Sequence, residues 1–229
     1  MKIGFCGFDL PEGKVKFHDD KVAALDQKFA PQKVSPFYAE LIRNDFLNCH
    51  AIFISRARIL DLLILDLEKL EIRRDRSSDE NERRLLGKCL EHLEQETPLC
   101  DVQFGEEEMA VLRGLAPLSL KPTVVAAEQP GVNELIEAVL AKAGVVFFYT
   151  AGKKEVHAWP VPEGADIVTC AGKIHSDLAR GFIKADIVSY DDLIRVHNLQ
   201  EARSKGLVRL VDRDYAIHPG DIVEIRFNI

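Results

Sequence analysis

No Cys-x-x-Cys pair occurs in the chain, no apolar run is long enough to cross a membrane, and positive charge is in deficit. Each absence excludes something. The five cysteines (Cys6, Cys49, Cys89, Cys100, Cys170) are scattered and odd in number, which suits reduced cytosolic thiols rather than a disulfide framework. Cys89 and His92 share a helical face, but two ligands do not make a zinc site, and no metal is expected. The most apolar stretch, ILDLLILDLEKL, is broken by Asp61, Asp66 and Glu68 and cannot span a bilayer. No cationic start leads into an apolar run, so no secretory leader is expected and the expected compartment is the cytoplasm. Thirty Lys and Arg against 37 Asp and Glu leave a net charge of −7. That balance argues against a protein that coats nucleic acid through bulk charge, and no DNA or membrane partner is expected, although a local basic patch stays open. What is present is the composition of an ordinary globular chain: 229 residues, 47% apolar and 29% charged. It suffices for one large or two small domains.

Along the chain, residues 2 to 8 and 14 to 18 read as strands. DDKVAALDQKF reads as a short helix capped by Asp19 or Asp20. KVSPFYAELI and AIFIS are further strand candidates. From Arg58 the period changes: Leu60, Leu63, Leu67 and Leu70 recur at helical spacing. DRSSDEN interrupts, and Leu86, Leu90 and Leu93 resume the pattern, which predicts an antiparallel helical hairpin. KPTVVAA returns to strand, and VNELIEAVLAKAG predicts a helix capped at Asn133 and stopped at Gly144. Beyond Val145, VVFFYTA and EVHAWPV flank GKK as a hairpin, CAGKIHSDLARGF reads as one short helix, and LVRLV and YAIHPGDIVEIRFNI close as strands. The expected division is therefore a sheet from residues 1–57 and 118–143, a helical hairpin at 58–117, and a small α+β domain over 145–229.

The stretch GFDLPEGKV, residues 7 to 15, nearly spells a phosphate-binding loop. That pattern requires Gly, four residues, Gly-Lys and then Ser or Thr. Here five residues separate Gly7 from Gly13, and Val15 follows Lys14 with no oxygen to offer a magnesium ion. Asp9 and Glu12 would set carboxylates beside a triphosphate, where like charges about 4 Å apart repel by roughly 1 to 4 kcal/mol. The next residues, KVKFH, alternate like a strand rather than starting a helix.

The segments YTAGKKEVHAWPV, AGKIHSDLARGFIKADIVSYDDL and DYAIHPGDIVEIRFNI resemble the C-terminal TGS domain of the YchF family of Obg-like ATPases. Upstream, KVAALDQKFAPQKVSPFYAEL, ILDLLILDLEKLEIRR and LKPTVVAAE are similar to further parts of that family. The resemblance implies an α/β plus α+β fold: a reduced P-loop-type parallel sheet with a helical hairpin insertion and a C-terminal ubiquitin-like β-grasp (TGS) domain. The departures fall where the chemistry belongs. No helix and switch I follow Lys14. Arg43 stands where the family's Asp-x-x-Gly turn has Asp, or Asp45 if the register slips. The glycine-rich switch II is missing, and Glu128 stands where the family reads the base with Asn. Together these remove phosphate, metal and base contacts. The resemblance therefore implies a shortened, non-hydrolytic relative with a vestigial nucleotide loop at Gly7, Gly13 and Lys14. No cofactor is expected, with residual ATP or GTP binding left open.

In the C-terminal part, His175, Asp177, Arg180 and Lys184 lie within ten residues. They read either as a braced helix end with solvated cations or as a partner-binding surface for RNA phosphates or protein carboxylates. Trp159 and Phe182 read as core, and His157 as solvent-facing on its strand. No nucleophile accompanies His175 and Asp177, so no catalytic residue is assigned. The functional expectation is a non-enzymatic binding or regulatory protein with a protein or ribonucleoprotein partner, the ribosome by resemblance. The rivals are a degenerate nucleotide-binding protein without turnover, and a structural partner of a separate ATPase.

Overall fold

Residues 1–228 are described by the computed structural model, and the chain runs through them in the order β1 (Lys2–Cys6), β2 (Gly13–Lys16), α1 (Asp20–Phe29), β3 (Lys33–Ser35), β4 (Tyr38–Arg43), β5 (Ala51–Ser55), α2 (Ile59–Arg76), α3 (Glu80–Glu94), α4 (Glu106–Leu115), β6 (Thr123–Ala126) and α5 (Val132–Lys142). It continues through β7 (Val145–Ala151), β8 (Glu155–Pro162), α6 (Ile167–Ile174), α7 (Ser176–Arg180), β9 (Phe182–Ser189), α8 (Tyr190–Arg195), α9 (Leu199–Ser204), β10 (Arg209–Val211) and β11 (Asp221–Phe227). Contacts gather these elements into two units. Met1–Val15 joins Ala39–Ala143, and Lys16–Tyr38 joins the chain from Gly144 on.

The first unit holds a five-stranded sheet in the order β2-β4-β1-β5-β6. β1 runs parallel to both β4 (Ile3↔Leu41) and β5 (Ile3↔Ala51), and β5 parallel to β6 (Ile52↔Thr123). Every residue of β5, AIFIS, is buried, as a strand covered on both faces requires. The helical hairpin is not a body of its own. Ile52 and Ile54 of β5 share one core with Leu62, Leu63 and Leu70 of α2 and Leu86, Cys89, Leu90 and Leu93 of α3. The hairpin expected at 58–117 shares this core with the sheet and with Leu112 of α4, and α2 and α3 also pack on each other.

The stripe itself is also shifted. Leu60 is 54% exposed, and the buried face of α2 is Ile59, Leu62, Leu63, Asp66 and Leu70. Asp66, read from sequence as an interruption, is 1% exposed and accepts the N–H groups of Leu118 and Ser119, each at 2.7 Å. It caps the short 3₁₀ turn Leu118–Leu120 that leads into β6. α3 starts as expected of an Asp-capped helix, with Asp79 accepting from Asn81 and Glu82. α4 was not foreseen. Its three first-turn glutamates suit the positive end of a helix, and the Gly105 N–H donates to the Glu108 carboxylate at 2.8 Å. α5 is capped at Gly131 rather than Asn133, with the Gly131 N–H donating to Glu134 at 2.8 Å.

The second unit holds a six-stranded sheet in the order β10-β9-β11-β7-β8-β3. Its pairs are antiparallel except β11 with β7 and β3 with β8. Strand alternation sends Phe148, Val161, Ile187 and Val223 to one face, where Ile167 and Cys170 of α6 cover them. Tyr149, Ala158, Val188 and Ile222 face the other way, against Val22 and Leu25 of α1 and Leu193 of α8. Asp19 caps α1, accepting from Lys21 and Val22, and also accepts from the Tyr149 hydroxyl at 2.7 Å. Burial beside that carboxylate raises the Tyr149 pKa. The single strand expected over KVSPFYAELI is in fact two strands in two sheets. β3 pairs with β8 (Val34↔Val156) and β4 with β1, and Pro36 between them has no N–H for either ladder. The C-terminal sheet therefore includes residues outside the expected 145–229. The helix expected over CAGKIHSDLARGF is also two, α6 and α7, broken at His175, whose backbone is extended. The fold is mixed α/β, with parallel and antiparallel strand pairs.

Candidate functional site

β1 carries buried Ile3, Phe5 and Cys6 and delivers the chain to Gly7. At Gly7 φ is 83°, and an added Cβ would lie 2.2 Å from Ser55 Oγ, so glycine is required. The loop that follows turns inward. Phe8 and Leu10 are buried, with the Phe8 ring 5.2 Å from that of Phe53. Arg43, at the end of β4, holds the loop. Its Nη1 donates to the Phe8 carbonyl at 3.1 Å, its Nη2 to the Leu10 carbonyl at 3.0 Å, and its Nε to the Glu12 carboxylate at 2.9 Å. The same guanidinium lies over the Phe5 ring, 4.9 Å from its centre. Gln129 grips Asp9 through two bonds of 3.0 Å: the Asp9 N–H donates to Oε1, and Nε2 donates to the Asp9 carbonyl.

A phosphate cradle needs N–H groups converging on an anion with a helix start behind them. In this loop two carbonyls converge instead, and what they meet is a cation. Gly13, with φ 96°, turns the chain into β2. Lys14 is exposed on that strand, and the next helix in the chain begins only at Asp20. Gly7 and Gly13 thus shape the two ends of the loop, and Lys14 lies beyond it. Asp45, the alternative to Arg43, accepts the Asn48 and Leu47 N–H groups at 2.9 and 3.0 Å. Those bonds, the one from Asn48 foremost, lower its pKa. Glu128 is exposed in the loop after β6. Cys6 donates to Asp61, and burial followed by that carboxylate raises the thiol's pKa, so it is not a poised nucleophile. Burial likewise pushes Cys89 up to about 11, and among the described residues no His, Cys, Asp and Glu cluster could hold a metal ion.

The C-terminal cluster does not converge. His175 Nδ1 accepts the Asp177 N–H at 3.1 Å and caps α7. Asp177 pairs with Arg180 at 2.9 Å, and Arg180 is 70% exposed. Lys184 stands on β9 and pairs with Asp212 at 2.9 Å. The helix ends at Arg180, so Arg180 and Lys184 do not share a helical face. Phe182 is buried as expected. His157 is not solvent-facing: its ring stacks on half-buried Trp159 with centres 3.6 Å apart, and burial lowers its pKa against the pull of Glu155.

Sequence reading missed Asp186, which is 4% exposed and bound by Arg226 (2.8 and 2.9 Å) and Arg203 (2.8 Å). Its signal was a lone carboxylate inside the apolar strand FIKADIVS, since a buried acid must find cations. Also missed was Asp221, which accepts from the Tyr215 hydroxyl at 2.8 Å and the His218 N–H at 2.9 Å. Among the described residues no helix is long and apolar enough to cross a membrane.

The family model YchF-GTPase_C, described as a protein of unknown function (DUF933), matches residues 145–228. The ribosome-binding ATPase YchF of Mycoplasma genitalium is 42% identical over 99 residues, 43% of this chain and 27% of that protein. The ribosome-binding ATPase YchF of Bacillus subtilis is 27% identical over 333 positions, covering 98% of this chain and 91% of that protein. Because this chain has 229 residues, that match opens gaps within the aligned span. The YchF GTPase structure of Schizosaccharomyces pombe superposes with a TM-score of 0.79 over 93% of this chain and 86% of that one, at 16% identity, which speaks to the fold alone. Residues 145–228 thus carry the YchF family's C-terminal model, and the chain as a whole is a shortened relative of the YchF proteins.

Proposed function

We propose that this protein is a cytoplasmic YchF-like binding or regulatory protein that works without nucleotide turnover, with the ribosome as its partner. The observation that carries this reading is the closed loop at residues 7–13: Arg43 takes its carbonyls, Gln129 its Asp9 backbone, and a strand rather than a helix follows Lys14. The loop is a P-loop remnant at Gly7, Gly13 and Lys14, with the phosphate's place in the interaction scheme taken by protein groups. The first unit is then a reduced G-domain with the hairpin built into its core. The six-stranded sheet with α6 is the TGS β-grasp domain, extended by residues 16–38. The name shared by the relatives supports the ribosome as partner. Of the four C-terminal candidates, Arg180 and Lys184 are the proposed partner contacts, while His175 and Asp177 brace α7.

Sedimentation of the intact protein with purified ribosomes, with and without magnesium and ATP, tests the reading. Binding that is indifferent to ATP is expected. Binding that requires ATP, or no sedimentation at all, would contradict it. A thermal melt with ATP or GTP separates the rival: a nucleotide held at a hundred times its dissociation constant adds about 2.7 kcal/mol, whereas no shift is expected here.

A further inference from the structure

We propose that the second unit carries a slot for an extended peptide strand, apolar at its centre and acidic where it meets the turn between β7 and β8, which adds to the edge of β11 left open beyond β7. This inference does not depend on the ribosomal reading. β11 pairs with β9 along its full length, from Asp221↔Ser189 to Phe227↔Phe182. On its other edge it meets β7 in register only at Ile222↔Tyr149. β7 stops at Ala151, and the chain turns back into β8, with the Gly152 N–H donating to the Glu155 carbonyl at 3.1 Å. Carried forward, that register sets Ala151 opposite Glu224, so residues 225–227 of β11 run on past the end of β7, and that edge is open to another strand.

A cleft of about 480 Å³ lies at this place. Ile174 and Leu178 line it from the α6 and α7 side of the sheet, and Leu193 and Leu199 from the α8 and α9 side. The slot thus continues the plane of the sheet between two layers of helices. A strand laid in it would send alternate side chains to the two apolar walls. Its central residues would all be apolar, as in strands covered on both faces. The edge itself supplies main-chain hydrogen bonds, as in other strand-addition complexes.

The rim supplies the sign of the flank at the turn between β7 and β8. Glu224 is engaged by Arg203, and Glu155 by Lys33 and Ser35. Lys153 and Lys154, in the turn at the mouth, have no ion-pair partner among the described residues. Carboxylates on the incoming peptide complement them. The lining holds one aromatic ring, Phe227, and no guanidinium, so it lacks the stacking surfaces that single-stranded RNA uses.

The test uses the full chain and a labelled synthetic peptide, Val-Ile-Val-Val between paired aspartates. Its controls are the same peptide with proline in the apolar run, a lysine-flanked version, and a single-stranded oligoribonucleotide. Fluorescence anisotropy reads binding, and amide hydrogen exchange reads the amides of residues 224–227 that face away from β9. The acidic peptide is expected to bind and protect those amides, and the proline peptide to bind at least about tenfold more weakly. The double change Lys153→Glu and Lys154→Glu is expected to weaken the acidic peptide by about tenfold and to favour the lysine-flanked one. Its melting temperature should stay near that of the wild type, because both residues are exposed. Equal binding of the proline peptide, binding without protection of 224–227, loss of fold without charge exchange, or preference for the oligoribonucleotide would each overturn the proposal.

Discussion

At the scale of single residues, Arg43 determines what the loop after β1 can be. Each of its three nitrogens donates to the loop, two to carbonyls and one to Glu12. Arg43→Ala is expected to destabilise the protein by about 1–2 kcal/mol, since bonds to a charged donor are strong but this side chain is 40% exposed. Arg43→Lys is expected to recover only part of that, because an ammonium lacks the planar fork. Urea melts of the three proteins check this; an alanine variant as stable as wild type would show that the clamp does nothing. The sequence displayed the glycines and Val15 openly, but it could not display the clamp, which joins residues more than thirty positions apart with no periodic signature. Asp186 offers a second test. Burial raises its pKa, but Arg226 and Arg203 outweigh burial and hold it below the usual range. A depressed folded pKa means the stabilisation is complete above the unfolded carboxylate value of about 4 and is lost as pH falls through the folded one. Asp186→Asn is therefore expected to cost about 1–3 kcal/mol near neutrality, with the gap to wild type closing below about pH 4. A gap constant across that range would deny the carboxylate its role.

Among the elements, those fixed by local chemistry were legible and those fixed by pairing were not. Asp79 announced α3, and the leucine period announced the hairpin. The phase of α2 slipped because ILDLLILDL offers apolar residues on every side, and only packing selects Ile59, Leu62, Leu63 and Leu70. The same packing turned Asp66 inward to hold the turn before β6. Asp66→Ala is expected to cost about 2–4 kcal/mol, because it orphans two backbone N–H groups at a buried site, and Asp66→Asn less, since an amide oxygen still accepts. Denaturant unfolding with unchanged slope measures both; equal losses for the two variants would mean that volume rather than hydrogen bonding matters. β3 was unreadable as a separate strand for a different reason. A three-residue β-rich piece fits either sheet, and cross-strand neighbours choose between them.

For the whole molecule, the composition shift near Gly144 marked where the second sheet begins, since β7 starts at Val145. It could not mark residues 16–38, which join that sheet from the far end of the chain. Helices cover both faces of the second sheet, and β5 at the heart of the first is buried throughout, while the loop at residues 7–13 is closed by protein groups. The proposed absence of turnover is the central claim, and one measurement addresses it most directly: phosphate release from ATP and from GTP with magnesium, by wild type and by Lys14→Ala in parallel. Both proteins are expected to release phosphate at the background rate. Turnover by the wild type that disappears in Lys14→Ala would contradict the claim and make the loop a working nucleotide site.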